Sequence, residues 1–228
     1  MLTIEEGGCC KGSLGVLRQM YELGARMMTL TWNHENELAS PNVVPGGGGD
    51  IWPCKPNTET GLKERGFEFL AEMERLHMIV DVSHLSDRGF WDIAEHSTRP
   101  FAASHSNCRA LAPHCRNLTD EMIRVMAEKG GLVGLNYCSG FLDDQPRPEL
   151  CRSTTALMAR HAAHFKQVGG IEIIGLGSDF DGIGGKLEMG DCSKLPLLAD
   201  ALRKEGFTED EVEQIFFRNA QRFFEENL

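Results

Sequence analysis

Acidic and imidazole side chains follow four short apolar runs of the chain, each at the point where the run ends. Glu5 and Glu6 close the first run. His84 and His105 follow two later runs, and Asp179 follows the last. Imidazole and carboxylate groups are ligands that suit Zn²⁺, and a bridging carboxylate can hold two ions about 3.5–4 Å apart. Residues of these types at equivalent ends of separate runs predict a hydrolytic metal site.

Each of these residues also has a simpler interpretation. A single histidine at a strand end is usually a hydrogen-bonded structural residue, and the Asp-Phe-Asp-Gly segment at 179–182 is a common turn former. Several other histidines carry no ligand spacing: His34, His77, His114, His161 and His164. We expect His161 and His164, three apart in a predicted helix, to lie on the surface. The metal site is favoured by the convergence of four strand ends, which packing alone does not explain.

Six short β-rich runs can supply the strands that position these residues. Most of them are apolar throughout, as expected of parallel strands that are buried on both faces. They span residues 2–5, 27–31, 78–82, 100–104, 132–136 and 172–177. Because parallel α/β folds place their sites outside the carboxyl ends of the strands, we expect the polar residues to meet there.

Helical patterns separate these runs. They cover residues 14–23, 67–76 and 154–168, and further helices begin near Thr119 or Asn117, near Leu195 and near Thr208. Alternation of strands and helices predicts βαβ units and a parallel sheet. We therefore predict one α/β domain over residues 1–228. It is either an open sheet or an incomplete (β/α) barrel, because a closed barrel needs eight strands.

The stretch at 35–60 differs from the rest, because its glycine run at 46–49 and its prolines exclude a regular element. It is predicted to be an irregular loop, either a cover of the site or flexible filler.

The composition excludes several classes of protein. With a formal net charge of -11 and no basic patch, the chain is not expected to bind nucleic acid. The eight cysteines include no CxxC spacing, which argues against a structural zinc cluster. The sequence opens without a signal-like region, and no apolar run approaches the roughly 18 residues of a membrane span. We therefore expect no membrane contact, a cytoplasmic location and reduced thiols.

Several segments together resemble one family of metal-dependent hydrolases. They are Ser13–Arg18, Tyr21–Thr31, Asp81–Asp87, Ala103–Asn107, Cys115–Thr119 and Gly175–Gly182. At these residues the chain is similar to the membrane (renal) dipeptidase family of the metal-dependent amidohydrolase barrels, and to its bacterial branch in particular. The resemblance extends nearly end to end. It implies a TIM-type (β/α) barrel that hydrolyses the amide bond of dipeptides.

The resemblance also implies a centre of two zinc ions, held in part by a bridging glutamate and two later histidines. The histidines match His84 and His105. The glutamate is Glu5 or Glu6, and only one of them can face the metals because side chains alternate along a strand. Counting back without gaps from the segment at 13–15 favours Glu5, which we choose.

Two further residues match the family's substrate-binding groups. Arg116 matches the arginine that binds the terminal carboxylate of the dipeptide, a role that suits the guanidinium fork. Asp179 matches the acid that binds the free amino group and transfers a proton. The implied reaction is attack of a metal-bridged hydroxide on the amide, with Asp179 passing a proton to the leaving amine.

The chain departs from the family pattern in two ways. The family often carries a histidine after the Leu-Thr-Leu-Thr strand, where this chain has Trp32, and His34 is considered as its replacement. The family's early His-x-Asp pair of metal ligands is absent, and with it about the first two strands of the barrel. We therefore expect one zinc ion or weak binding, poor or no activity of this chain alone, and unpaired strand edges that a homo-dimer could cover.

These departures leave other hypotheses open. One is a non-catalytic remnant, or a partial gene product, that binds at most one metal ion. Another is a different amidohydrolase activity on the same ligands, on lactones or phosphoesters. Arg116 favours a substrate with a carboxylate over the latter.

Overall fold

The computed structural model describes residues 1–43 and 55–228, and its central element is a six-stranded sheet. The strands are β1 (Leu2–Glu5), β2 (Ala25–Thr29), β3 (Ile79–Asp81), β4 (Ala102–Ala103), β5 (Leu132–Leu135) and β6 (Ile174–Leu176). They lie side by side in chain order, and the β1–β2, β2–β3, β3–β4 and β5–β6 pairs are parallel. All six predicted runs form strands, which confirms the parallel α/β sheet. The described residues supply six strands rather than the eight of a closed barrel.

The strands differ in how well they are covered. Every residue of β3 and β5 is buried, as the apolar sequences of these strands predict. In β1, by contrast, three of the four residues are exposed, and Leu2 keeps 59% of its accessible surface. The strand that ends at Glu5 is therefore the least covered strand of the sheet.

Helices follow the strands along the chain. They are α1 (Leu14–Glu22), α2 (Glu64–Arg75), α3 (Asp87–His96), α4 (Asp120–Glu128), α5 (Ser139–Leu142), α6 (Thr155–Gly169), α7 (Leu195–Glu205), α8 (Glu209–Glu213) and α9 (Asn219–Asn227). The predicted helices are confirmed, with Thr119 rather than Asn117 as the N-cap of α4. Helix α3 was not predicted. Within the described chain, none of the helices has the length and apolar character that a bilayer crossing demands.

The first compact unit comprises residues 1–102 and 224–228. Serine side chains begin two of its helices, since Ser13 accepts a hydrogen bond from the Val16 amide and Ser86 accepts one from the Gly89 amide. Glu72 on α2 accepts hydrogen bonds from Arg75 and Arg18, which lower the pKa of its carboxyl to about 2. These contacts join α1 and α2 beside the first strands.

The second compact unit comprises residues 103–223. Its strands approach one another so closely that glycine is required at two positions. A Cβ atom on Gly134 would lie 1.9 Å from the carbonyl oxygen of Ser104, and one on Gly177 would lie 2.0 Å from the same atom. The Ser106 amide also donates to the Gly134 carbonyl at 2.9 Å. The backbone on both sides of His105 is therefore tightly held.

The structure describes two parts of the predicted irregular segment at 35–60. Residues 35–43 and 55–60 form no helix or strand and contribute isolated bridges, such as those of Ala39 with Leu62 and Val43 with Pro56. Residues 44–54, which include the glycine run, lie outside the described residues.

Two expectations from the sequence were wrong. His161 is not on the surface: it is 1% exposed, its Nδ1 accepts the Cys108 amide at 3.1 Å, and its Nε2 donates to the Leu142 carbonyl at 3.1 Å. The second expectation was that the thiols are reduced, and Cys115 is disulfide-bonded. Among the cysteines that the structure describes, the following are free: Cys9, Cys10, Cys108, Cys138, Cys151 and Cys192.

The buried His161 predicts acid sensitivity of the fold. Burial lowers the pKa of His161 from 6.5 to about 4 in the folded chain. The unfolded chain therefore binds more protons between these values, so the stabilisation is complete above pH 6.5 and is lost as the pH falls towards 4. From this residue alone we expect the free energy of unfolding to fall by about 2 kcal/mol between pH 7 and pH 5.

Urea unfolding at several pH values measures this effect. His161→Gln is expected to flatten the dependence of unfolding free energy on pH. An unaltered pH slope in His161→Gln would show that His161 is not the titrating group.

Candidate metal centre

The two adjacent glutamates at the end of β1 have different partners. Glu5 Oε1 lies 3.0 Å from His84 Nε2. The Glu6 side chain instead accepts the Gly8 amide at 3.1 Å and the Asn36 side-chain amide at 2.6 Å, and it begins the short 3₁₀ helix Gly7–Cys10. Glu6 is therefore occupied in holding the turn after β1, and Glu5 is the glutamate that contacts a histidine.

A tight turn after β3 presents His84. The Asp81 carboxylate accepts hydrogen bonds from the Ser83 amide at 3.0 Å and the Thr29 hydroxyl at 3.2 Å. His84 itself has a left-handed backbone with φ of 67°, and its carbonyl accepts the Asn42 amide at 2.8 Å. The hydrogen-bonded turn formed by Asp81-Val82-Ser83-His84 thus holds the histidine in an uncommon backbone conformation.

His105 follows β4, and Ser104 fixes one side of its ring. The Ser104 hydroxyl lies 2.7 Å from His105 Nδ1. Glu5, His84 and His105 each offer a ligand atom, and the three atoms lie within 4.8 Å of one another. One carboxylate and two imidazoles at such separations are a donor set that suits Zn²⁺. The three residues proposed as ligands from the sequence are therefore brought together.

Arg116 is held by contacts with neighbouring segments. It is 4% exposed, its Nη2 donates to the His105 carbonyl at 3.4 Å, and its guanidinium lies 5.3 Å from the centre of the Phe141 ring. The Arg116 amide donates to His114 Nδ1 at 3.1 Å. Burial, followed by the charges of Arg116 and Arg109, lowers the pKa of His114 to about 3, so this ring stays neutral as an acceptor near pH 7.

Asp179 stands in a turn directly after β6. Its carbonyl accepts the Gly182 amide at 3.0 Å, and a Cβ atom on Gly182 would lie 2.2 Å from the Asp179 carboxylate. The side-chain amide of Asn136 donates to Asp179 Oδ2 at 3.2 Å, and Asn136 is itself fully buried. The interpretation of residues 179–182 as a turn is confirmed, and this turn places the carboxylate against a buried asparagine.

A cavity of about 480 Å³ opens beside Glu5. His34 and Lys11 line it together with Glu5 and Glu6. The His34 ring lies 5.5 Å from the Trp32 ring, edge to face. The region after β2 thus contributes His34 to the space beside Glu5, with Trp32 packed against it.

Sequence reasoning missed three residues that contact the predicted site residues. Asn33, His114 and Asn136 contact His84, Arg116 and Asp179 respectively. They stand in irregular segments at unrelated spacings. The only signal was their closeness in sequence to strand ends or to the matched motifs, which does not separate them from ordinary turn residues.

Several known proteins are similar to this chain. A protein of Klebsiella pneumoniae, known as an uncharacterized protein in the pqqA 5′ region, is 35% identical over 219 residues, which are 96% of this chain and 78% of that protein. The solved metallopeptidase called dipeptidase AC superposes with a TM-score of 0.91 at 31% identity. A metallopeptidase from Rhodobacter sphaeroides, liganded with a phosphinate mimic of the dipeptide L-Ala-D-Ala, superposes with a TM-score of 0.89 at 30% identity.

The superpositions cover the whole of this chain but only part of each relative. Both superpositions cover 100% of this chain, which spans 65% of dipeptidase AC and 63% of the Rhodobacter enzyme. The family model of membrane dipeptidase, peptidase family M19, matches residues 1–227. The chain therefore belongs to the membrane dipeptidase family.

Proposed function

We propose that this chain carries the zinc-binding and substrate-binding part of a dipeptidase. The observation that supports this most directly is the grouping of Glu5, His84 and His105, with 3.0 Å between Glu5 Oε1 and His84 Nε2. Dipeptide substrates follow from membership of the family and from the dipeptide mimic that the Rhodobacter relative binds.

The protein's own residues have distinct parts in this proposal. The donor set would hold Zn²⁺, which when bound supplies Lewis-acid and water-activating chemistry. Arg116 would bind the carboxylate of the dipeptide through its guanidinium fork. Asp179 would bind the free amino group and accept and return a proton, with its carboxylate oriented by Asn136.

We also propose that the part of the family's barrel that this sequence represents, which spans 65% of dipeptidase AC, carries three of the family's metal ligands. Within this sequence the proposed ligands are Glu5, His84 and His105. With three ligands in place of five, one zinc ion is expected to bind, or zinc to bind weakly. The alternative, a non-catalytic remnant that binds one metal ion, shares this site.

Zinc binding and turnover of the purified chain test the proposal together. Competition with a chromophoric chelator is expected to show one Zn²⁺ per chain. Hydrolysis of L-Ala-D-Ala is expected to be far slower than that of a full-length relative and to stop on chelation. Absence of saturable zinc binding would refute the proposal. Zinc binding with no turnover at all would favour the remnant.

A hydrolysis rate equal to that of a full-length relative would contradict the expected slow turnover, because it would mean that three ligands suffice.

The location and the assembly state of the chain stay predictions. We keep the cytoplasmic location and the homo-dimer from the sequence, while the disulfide at Cys115 is more typical of oxidising compartments.

A further inference from the structure

Both nitrogen atoms of the His84 ring have a partner. Nδ1 lies 2.8 Å from Asn33 Oδ1, and Nε2 lies 3.0 Å from Glu5 Oε1. The side chain of His84 is 8% exposed, and the Trp32 ring lies beside it with 5.9 Å between ring centres. The ring is therefore fixed from one side by the segment that follows β2.

We propose that Asn33 is a positioning residue, which holds the His84 ring so that Nε2 is the atom offered to the metal. This inference rests on the proposed zinc site and extends it to a residue that no ligand motif includes. Asn33 would contact neither the metal nor the substrate; it would act through His84.

The chemistry of the amide oxygen carries the argument. The amide oxygen of asparagine only accepts hydrogen bonds, so a hydrogen bond at 2.8 Å requires Nδ1 of His84 to carry a proton. With a metal ion bound, a neutral imidazole protonated at Nδ1 would offer the ion its lone pair on Nε2, the nitrogen that faces Glu5. Partners of this kind fix the orientation of ligating histidines and raise their basicity.

The second histidine provides a contrast. The partner of His105 Nδ1 is the Ser104 hydroxyl at 2.7 Å, which can donate as well as accept. Ser104 therefore does not select a tautomer by its chemistry alone. Asn33 does, and it lies 51 residues from His84 in sequence, so the contact depends on the fold rather than on local geometry.

A matched pair of variants separates positioning from packing. Asn33→Leu keeps the side-chain size and removes the acceptor, whereas Asn33→Asp keeps an acceptor oxygen. Zinc affinity is measured by chelator competition and folding by the thermal midpoint. We expect Asn33→Leu to raise the zinc Kd by about 10- to 100-fold and Asn33→Asp to stay near the parent. A Kd near the parent in a folded Asn33→Leu, or an equal loss in both variants, would overturn the inference.

Proton NMR of the zinc-loaded parent chain provides a test that needs no Asn33 variant. The His84 Nδ1 proton, assigned by its absence in His84→Gln, is expected as a downfield signal protected from exchange with water. Coordination of zinc through Nδ1 would overturn the inference even if Asn33→Leu failed to fold. Failure of the parent chain to bind zinc would instead refute the proposed function, so the two failures are distinguishable.

Discussion

His105→Ala is expected to remove zinc from the chain, with a rise in the Kd on the order of 100-fold or more. The ligand atoms of Glu5, His84 and His105 lie within 4.8 Å of one another, so the loss of one imidazole leaves two of three donors. Two donors do not complete a tetrahedral site, and water must take the remaining positions. The measurement is elemental analysis after dialysis, with chelator competition to give the Kd.

Glu6→Gln is the matched control for this loss. Glu6 neighbours the proposed ligand Glu5 but bonds to the Gly8 amide and to Asn36, and glutamine keeps an oxygen that can accept the Gly8 amide. Zinc content is therefore expected to be unchanged in Glu6→Gln. Full zinc content in a folded His105→Ala would reject His105 as a ligand, and zinc loss in Glu6→Gln alone would move the glutamate ligand from Glu5 to Glu6.

Arg116→Met is expected to weaken the binding of a dipeptide by on the order of 100-fold, because the proposed charge-assisted hydrogen bonds to the substrate carboxylate would be lost at a buried position. Isothermal titration with the phosphinate mimic of L-Ala-D-Ala measures this in the zinc-loaded chain. A mimic whose terminal carboxylate is replaced by an amide should bind Arg116→Met and the parent chain about equally, since it lacks the group that Arg116 is proposed to bind.

The control for Arg116 is Arg160→Met, which removes the same charge from an exposed position on α6. It is expected to bind both mimics like the parent. An equal loss of both mimics in Arg116→Met would show that the arginine supports the fold of the site rather than the carboxylate. The Arg116 contacts with the His105 carbonyl and the Phe141 ring make thermal midpoints a necessary companion measurement.

The strands were predictable because their physical signal is strong and local. A run such as Leu132–Leu135 is apolar at every position, which fits only an element that is buried on both faces. Helix α3 was missed because Asp87, Arg88 and Gly89 open it, and a polar, glycine-containing first turn weakens the apolar spacing. Its N-cap, Ser86, was the available signal.

The residues of the proposed site were predictable from the sequence, but the side chains that contact them were not. Residues at strand ends, such as His84 and His105, stand out because parallel sheets gather chemistry there. Counting along the chain favoured Glu5 over Glu6, and Glu5 is the glutamate that lies against His84 in the structure. Asn33 and His161 could not be interpreted correctly, because the partners of each depend on tertiary packing: Asn33 contacts a residue 51 positions away and His161 one 53 positions away.

The exposure of β1 is expected to influence how long a metal ion stays bound to the chain. Sheet edges with little apolar protection open locally at a small free-energy cost, far below that of global unfolding. Glu5 is the last residue of β1, and its side chain is 45% exposed. Fraying of this strand would withdraw the carboxylate while both imidazoles stayed in place, so retention of the ion would depend on how often the strand is paired.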